Sequence, residues 1–292
     1  MTIFNLGSIN LDHVYSVPHL PAPGETLAAM AYSTGLGGKG ANQSVAASLA
    51  GAEVCHIGAV GTDGDWALQR LEHFGVDATN VACLEAPTGN AIINVDPAGE
   101  NSIVIFPGAN ATQSEAAIES GLGGAGPGDI LLIQNETSHQ AHAAQRGRDK
   151  GMRVIYSAAP FEPAAVEAML PYIDLLVLNA VEAEQLYQAL GKTLEDLPVS
   201  GVVVTRGGRG AEWISAGTET IRAPAFPVTP LDTTGAGDCF IGSLAAALDA
   251  GEGPAAAMRF AAAAAALQVT RPGTADAMPT RAEVDAFLEE RA

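Results

Sequence analysis

The chain has 292 residues, of which 48% are hydrophobic and 16% charged, so it can bury a sizeable core and extensive disorder is disfavoured. Its 14 basic and 33 acidic residues give a formal net charge of −19, which argues against nucleic acid and anionic membrane surfaces as general partners. The three cysteines, Cys55, Cys83 and Cys239, form no CxxC pair. This argues against a disulfide framework or a thiolate zinc site and favours a reducing compartment.

The N-terminus lacks the basic start of a signal peptide and leads directly into a strand-like segment at 2–7. Two further strands, 12–17 and 25–34, resemble parts of a small outlying sheet. The stretches 91–95 and 102–106 flank a Pro- and Gly-containing turn and predict a hairpin. Between these segments we expect a helix, a strand and a helix at 41–50, 55–60 and 66–74.

From residue 130 onward, apolar strands and helical stretches alternate. Strands are expected at 130–133, 154–157, 175–178 and 202–205, and helices at 138–150, 163–170, 180–190, 236–250, 253–270 and 280–290. Alternation of this kind predicts an α/β fold with a mostly parallel sheet and helices on both faces. The longest apolar run, 260–269, is too short to cross a bilayer, so we expect a soluble cytoplasmic protein.

The strongest motif is Asp-Thr-Thr-Gly-Ala-Gly-Asp at 232–238, directly before a predicted helix. Two glycines at a helix start let backbone N–H groups point outward together and bind an anion. Asp238 would then lie beside that anion, where it could accept a proton from an attacking hydroxyl. Taken alone, Asp238 could equally be an acid that favours the helix dipole in a first turn.

A second motif, Gly-Gly-Lys-Gly-Ala-Asn at 37–42, permits close backbone approach to a ligand, with Lys39 and Asn42 as hydrogen-bonding groups. It is not a Walker A loop, because Gly40 follows the lysine where Ser or Thr would be required. Alone it could be a ligand loop or simply the turn that starts a helix. The GxGxxG match at 121–126 precedes a strand rather than following one, so we interpret it as a connecting loop.

These two motifs, in this order and about two hundred residues apart, resemble the signatures of the phosphofructokinase-B (ribokinase-like) carbohydrate kinases. The similarity covers nearly the whole chain. It includes Gly-Ser-Ile-Asn-Leu-Asp at 7–12, Pro-Gly-Glu-Thr at 23–26, Gly-Ala-Asn at 108–110, Asn-Ala-Val-Glu at 179–182 and Val-Thr-Arg at 269–271. The resemblance implies one kinase domain over 1–292, in which a doubly wound sheet is joined by a small β lid at about 10–36 and 88–107.

The resemblance also implies the reaction, which is transfer of the γ-phosphoryl group of ATP to a sugar, most closely the 5-hydroxyl of D-ribose. Asp238 would be the base, and the amides of Gly235, Ala236 and Gly237 would hold the developing negative charge. The implied sugar-binding residues are Asn10, Asp12, Gly38, Lys39, Asn42 and Glu136, with Ala91, Ile93 and Ile105 as apolar walls from the lid.

For the nucleotide, the resemblance implies that Asn179 and Glu182 orient hydrated Mg²⁺ on ATP. Thr205, Gly207 and Gly210 would line the nucleotide side. The family's monovalent-cation loop maps to Asp232, Thr234, Val269, Pro272 and Gly273, so K⁺ activation is expected, although Ala277 replaces a serine there. The resemblance further implies a homodimer that packs lid against lid.

Two alternatives stay open from the sequence. A related kinase could phosphorylate a nucleoside or another sugar, because pocket walls decide specificity and Phe106 replaces a histidine next to the sugar wall that the resemblance implies. The chain could also be a catalytically silent sugar- or nucleotide-binding protein on a kinase scaffold. The second alternative is weakened because Asp238 and the glycines beside it are intact.

Overall fold

The computed structural model describes residues 1–291 and has two sheets of very different size. The strands are β1 Thr2–Leu6, β2 Asn10–Ser16, β3 Ala31–Gly37, β4 Glu53–Gly61, β5 Asp77–Leu84, β6 Gly89–Val95, β7 Asn101–Phe106, β8 Ile130–Gln134, β9 Arg153–Ser157, β10 Leu175–Asn179, β11 Gly201–Thr205, β12 Ala211–Ile214 and β13 Ile221–Ala223. The helices are α1 Lys39–Leu49, α2 Asp65–His73, α3 Glu115–Gly121, α4 Gln140–Asp149, α5 Pro163–Met169, α6 Ala180–Leu190, α7 Ala236–Asp249, α8 Pro254–Gln268 and α9 Arg281–Glu289.

The large sheet has nine strands in the order β13-β12-β11-β10-β9-β8-β1-β4-β5. Neighbouring strands pair in parallel from β11 to β5 of this order. At the other edge, β12 pairs antiparallel with β11, and β13 pairs antiparallel with β12. The chain therefore leaves β1 toward β4 on one side and returns to β8 on the other. This doubly wound arrangement confirms the predicted fold class.

Both faces of the large sheet are buried, because successive strand residues point to opposite sides. In β8, Ile130 and Leu132 belong to one apolar cluster, while Leu131 and Ile133 belong to the other. The first cluster lies under α1, α2, α7, α8 and α9, and the second lies under α3, α4, α5 and α6. This two-sided burial explains why the central strands are continuous apolar runs.

The small sheet has the order β3-β2-β6-β7, in which β2 pairs with β6 in parallel and both outer pairs are antiparallel. The strand predicted at 25–34 lies later, at Ala31–Gly37, because pairing with β2 from Ala31 opposite Ser16 to Gly37 opposite Asn10 sets its bounds. The hairpin predicted at 91–95 and 102–106 is confirmed by β6 and β7.

Sequence reasoning missed β5, β12 and β13. β5 and β13 are the two edge strands of the large sheet, and the four-residue β12 lies next to β13 with a partner on each side. Edge strands are less completely apolar than central ones, so their pattern is weaker. The segment 121–126 joins α3 to β8, which confirms that it is a connecting loop. Within residues 1–291, no helix is both long enough and apolar enough to span a membrane.

The start of α1 packs directly on the end of β1 through two glycines. A Cβ added to Gly40 would collide with the backbone of Gly7, which has no room to move aside. Ala41 N donates to Ser8 O at 2.9 Å, and the Asn5 side chain donates to Gly40 O at 2.8 Å. This backbone contact brings the 37–42 motif to the carboxyl end of the sheet.

Replacing Gly40 with alanine should lower the free energy of unfolding by about 1–3 kcal/mol, because the added methyl group overpacks a rigid contact. Urea unfolding followed by circular dichroism measures the change. Gly124→Ala is the matched control, since a Cβ there meets nothing within 4 Å, and its effect should stay within about 0.5 kcal/mol. Equal stability of the two variants would contradict the close packing.

Candidate active site

The N-terminus of α7 faces a cavity at the carboxyl end of the large sheet. Gly235 caps the helix with φ +78°, a left-handed conformation that favours glycine. The backbone of Gly235, Ala236 and Gly237 lines a cavity of about 200 Å³ together with Lys39 and Asp238. Ala236 N donates to Thr233 O at 3.3 Å. The N–H groups of a first helical turn and the positive end of the helix dipole favour an anion at this place.

Asp238 lies in the first turn of α7 and is buried, with 8% of its surface exposed. Its two carboxylate oxygens accept hydrogen bonds from Asn42 Nδ2 at 3.1 Å and from Gln43 Nε2 at 2.9 Å. Burial raises the pKa of Asp238, while the positive charge of Lys39 and the two amide donors oppose the rise. A carboxylate with a raised pKa is a better proton acceptor than a solvated one.

A chain of buried polar side chains supports Gln43 from behind. Gln134 Nε2 donates to Gln43 Oε1 at 2.8 Å and to Asn5 Oδ1 at 2.9 Å. Asn5 Nδ2 in turn donates to Ser44 Oγ at 2.8 Å, and Ser44 contacts His56 Nδ1 at 2.8 Å. Burial lowers the pKa of His56 to about 4, so the ring is neutral near neutral pH. These hydrogen bonds restrict the movement of the side chains that they join, while Gln134 Oε1 is buried without a partner within residues 1–291.

Sequence reasoning did not single out these supporting residues, although a signal exists. Asn5, His56 and Gln134 are polar residues inside the otherwise apolar strands β1, β4 and β8, and all three are fully buried. A buried polar side chain in a central strand requires a partner, because an unpaired polar group is costly there. Their positions therefore indicated a network before its partners were known.

Glu136 follows β8 and joins the loop at the end of β1 to the start of α1. Its Oε2 accepts from Ser8 Oγ at 2.5 Å and from the backbone N of Lys39 at 3.1 Å. Burial lowers the pKa of the Lys39 ammonium, but the charges of Asp238, Glu136 and Glu182 raise it by more, so it stays protonated. Lys39 thus provides the positive charge among three carboxylates.

The first residues of the small sheet are held to the main body by Asn110. Its Nδ2 donates to Asn10 Oδ1 at 2.9 Å and to Ile9 O at 3.1 Å, while its Oδ1 accepts from Ile9 N at 2.9 Å. Asn10 and Asn110 are both buried. This pairing fixes the point where the chain passes from β1 into β2.

Strand register places the predicted sugar-side residues of the small sheet on one face. Asp12 lies opposite Ala91, and Ala91 lies opposite Ile105. Ile93 is two residues further along β6 and therefore shares this face. Ala91 is buried, whereas 52% of Ile105 is exposed. The structure brings these four residues together on the sheet, with Ile105 at its outer end.

Asp12 experiences an unusual electrostatic environment. Burial, together with the nearby charges of Glu136 and Asp238, raises the pKa of Asp12 to about 7. A Cβ on Gly37 would collide with the Asp12 carboxylate, so the glycine leaves room for it. Asn42 Oδ1 is also buried and has no partner in residues 1–291. Together these groups form a set of hydrogen-bond acceptors near Asp238.

The predicted nucleotide-side residues line two adjoining cavities. Asn179, Glu182 and Thr205 border the cavity that contains Asp238. Thr205 also borders a second cavity of about 300 Å³. Gly207, Gly210 and apolar residues such as Ala262 line this second cavity. Both cavities share Ala236 and Gly237. The N-terminus of α7 therefore lies between them.

Asn179 and Glu182 also cap helix α6. Asn179 Oδ1 accepts from the backbone N of Val181 and of Glu182, each at 2.9 Å, and Glu182 Oε2 accepts from Asn179 N at 2.7 Å. These three hydrogen bonds form a capping box. Capping fixes both side chains at the cavity edge and engages one of the two Glu182 oxygens.

The predicted cation-loop residues come from two segments that meet beside α7. The Asp232 carboxylate accepts from Thr234 N at 2.9 Å and from Gly273 N at 3.0 Å. Val269 O accepts from the backbone N of Leu231 at 2.7 Å and of Asp232 at 3.2 Å. The structure thus brings Asp232, Thr234, Val269 and Gly273 together through hydrogen bonds, with Pro272 in the same turn.

Comparison with known proteins agrees with this geometry. The family model for pfkB family carbohydrate kinases matches residues 2–281. The chain is 37% identical, over an alignment of 303 residues, to the ribokinase of Haemophilus influenzae, covering 99% of this chain and 98% of that protein. It is 33% identical to a deoxyribokinase of Salmonella typhi, covering 99% of each.

The structure of the Arabidopsis thaliana ribokinase complexed with ribose and ATP superposes with a TM-score of 0.86 at 31% identity, covering 98% of each chain. Fold and site thus define an α/β phosphotransferase that acts on an alcohol group. The chain belongs to the pfkB family of carbohydrate kinases.

Replacing Asp12 with asparagine should stabilise the protein increasingly as pH rises from about 4 to about 7. In that range the folded state keeps the Asp12 proton and the unfolded state loses it. The contribution of Asp12 to the free energy of unfolding therefore falls as pH rises, whereas asparagine makes no such pH-dependent contribution. The difference in unfolding free energy should grow by at least about 1 kcal/mol between about pH 5 and pH 8. Urea unfolding at the two pH values measures it.

Asp63→Asn is a control of opposite sign for this pH dependence. Hydrogen bonds from Thr88 lower the pKa of Asp63, so its stabilising contribution is already complete at about pH 5. The destabilisation of this variant should therefore be the same at both pH values. If Asp12→Asn also showed no change with pH, the electrostatic description of Asp12 would be wrong.

Proposed function

We propose that the protein phosphorylates D-ribose at the 5-hydroxyl with ATP as the donor. The observation that carries this proposal is the buried Asp238 carboxylate, which two amides hold at the N-terminus of α7 beside a cavity. The names of the relatives, ribokinase at 37% identity and a ribokinase complexed with ribose and ATP at 31%, support the choice of sugar.

In this proposal Asp238 accepts the proton of the attacking primary hydroxyl. Asn42 and Gln43 hold the carboxylate in one orientation, so the oxygen that faces the hydroxyl is fixed in advance. The backbone amides of Gly235, Ala236 and Gly237 stabilise negative charge on the group that is transferred. Phosphoryl transfer depends mainly on positioning and charge stabilisation, and this site offers both.

The remaining predicted sugar-side residues are proposed to bind hydroxyl groups. Asn10, Asp12, Asn42 and Glu136 supply acceptors, and Lys39 supplies a donor and a positive charge. Gly38, with φ +90°, lets the backbone approach the sugar. Ala91, Ile93 and Ile105 would cover the sugar from the small sheet, which we propose acts as a lid over 10–36 and 88–107. The unpartnered oxygen of Asn42 supports this assignment.

For the nucleotide we propose that the phosphates lie at the α7 N-terminus and the base in the apolar cavity beside Thr205, Gly207 and Gly210. Residues 1–291 contain no cluster of three or more His, Cys, Asp or Glu side chains that could hold a metal by itself. Mg²⁺ in nucleotide sites is usually held by phosphates, water and one or two carboxylates, which fits the Glu182 oxygen not used in the cap. Mg²⁺ would neutralise phosphate charge there.

K⁺ activation stays a prediction for the cation-loop residues Asp232, Thr234, Val269, Pro272 and Gly273. Every one of these residues except Pro272 has an oxygen that already accepts a hydrogen bond from within the protein.

We further propose a cytoplasmic homodimer that pairs through the outer face of the small sheet. This face carries Tyr32, Val104 and Phe106, which are 54%, 64% and 50% exposed. A small sheet with an exposed apolar face favours a partner that covers it. The three free cysteines support a reducing compartment.

A substrate panel tests the proposed function. ATP-dependent product formation with D-ribose, 2-deoxy-D-ribose, D-fructose, adenosine and cytidine should give the highest kcat/KM for D-ribose. A preference for deoxyribose, which the Salmonella typhi relative makes the second candidate, would keep the mechanism and change the substrate. Absence of turnover on every compound, with ATP still bound, would support a silent binding protein.

Asp238→Asn should lower kcat by about 10²–10⁴-fold while binding of sugar and ATP persists, because the amide cannot accept the proton. Steady-state kinetics and isothermal titration calorimetry measure the two quantities. Asp249→Asn at the opposite end of α7 is the matched control and should keep kcat within about two-fold. Near-normal turnover of Asp238→Asn would remove Asp238 from the role of base.

A further inference from the structure

Gln268 is the last residue of α8 and is fully buried. Its side-chain amide nitrogen donates to Thr234 O at 2.8 Å and to Gly273 O at 3.1 Å. A primary amide has two N–H donors, so each carbonyl receives one of them. Sequence analysis did not single out Gln268, although both carbonyls belong to residues of the predicted cation loop.

The two carbonyls lie on different segments of the chain. Thr234 immediately precedes Gly235, which caps α7, and Gly273 follows the end of α8. Gln268 therefore joins the segment that leads into the anion-binding helix to the turn that leaves α8. Asp232 makes a second connection between the same segments, since its carboxylate accepts from both Thr234 N and Gly273 N.

This arrangement disagrees with a bound K⁺ ion. An unhydrated K⁺ requires several oxygens that replace its water shell and point toward one centre. Here the Thr234 and Gly273 carbonyls converge on an N–H₂ group instead, and Val269 O accepts two backbone N–H groups. Turning the amide over would place Gln268 Oε1 against two carbonyl oxygens, which repel it. The hydrogen bonds therefore determine which end of the amide faces the loop.

We propose that the Gln268 amide replaces the monovalent cation in this enzyme and makes its activity independent of K⁺. The partial positive charge of the N–H₂ group holds the two carbonyls at the place where an ion would otherwise neutralise their mutual repulsion. The loop that enters Gly235, Ala236 and Gly237 is then ordered without an ion. The test of this inference by kcat/KM rests on the proposed function, whereas its test by melting temperature does not.

The first test uses the wild-type protein at constant ionic strength in KCl, NaCl or tetramethylammonium chloride. We expect kcat/KM for the best substrate to agree within about two-fold among the three salts, and the melting temperature without substrates to be the same. Stimulation by K⁺ of ten-fold or more, or a melting temperature that rises with K⁺ alone, would overturn the proposal. The melting experiment remains decisive even if no substrate of the panel is turned over.

Two substitutions test whether Gln268 is responsible. Gln268→Ala removes both donors, and Gln268→Glu places a carboxylate against the two carbonyls. In tetramethylammonium chloride each should lower kcat/KM by ten-fold or more, and K⁺ should restore the activity and raise the melting temperature. A merely structural role would lower stability equally in all three salts.

Gln113→Ala is the matched control, because Gln113 is also a buried glutamine but lies before α3, away from the loop. Its kcat/KM and melting temperature should not depend on which cation is present. If Gln268→Ala and Gln268→Glu responded to K⁺ no more than Gln113→Ala does, the amide would not be replacing an ion. If neither Gln268 variant folds, the wild-type comparison among the three salts decides the question.

Discussion

The burial of one carboxylate at the start of a helix organises this molecule. Burial raises the pKa of Asp238, while the charge of Lys39 and the hydrogen bonds from Gln43 and Asn42 stabilise its carboxylate form and limit the rise. Each of these partners belongs to α1, and α1 is held against β1 by the glycine contact between Gly40 and Gly7. The position of the carboxylate therefore depends on how closely α1 can approach the end of β1.

This dependence extends through the sheet to side chains that never meet a substrate. Gln43 is oriented by Gln134 of β8, which also contacts Asn5 of β1. Strands β1 and β8 are neighbours at the point where the chain order of the sheet reverses. Open α/β sheets bind their ligands at such a reversal, because the loops from adjacent strand ends diverge there. In this protein the same reversal also carries the buried polar network that orients Gln43.

The sequence alone predicted the central strands, most helices and the two glycine-rich motifs, because these depend on local patterns. Gln134 and Asn5 escaped notice because their importance comes from a contact between distant strands. The edge strands β5 and β13 were missed because one-sided pairing weakens their apolar pattern, and β12 was missed because it has only four residues. Gln268 was hidden for a third reason. A glutamine at a helix end is unremarkable until two carbonyls from different segments are found beside its amide.

The connection of the small sheet has a consequence for how the chain folds. Its central pair, β2 and β6, is parallel, and Asp12 lies opposite Ala91 although β4 and β5 of the large sheet intervene in the chain. Closing a loop of that length costs entropy that only later contacts offset. During synthesis β2 therefore has no parallel neighbour until β4, β5 and then β6 have emerged, so the small sheet can be completed only after the strands of one edge of the large sheet have been made.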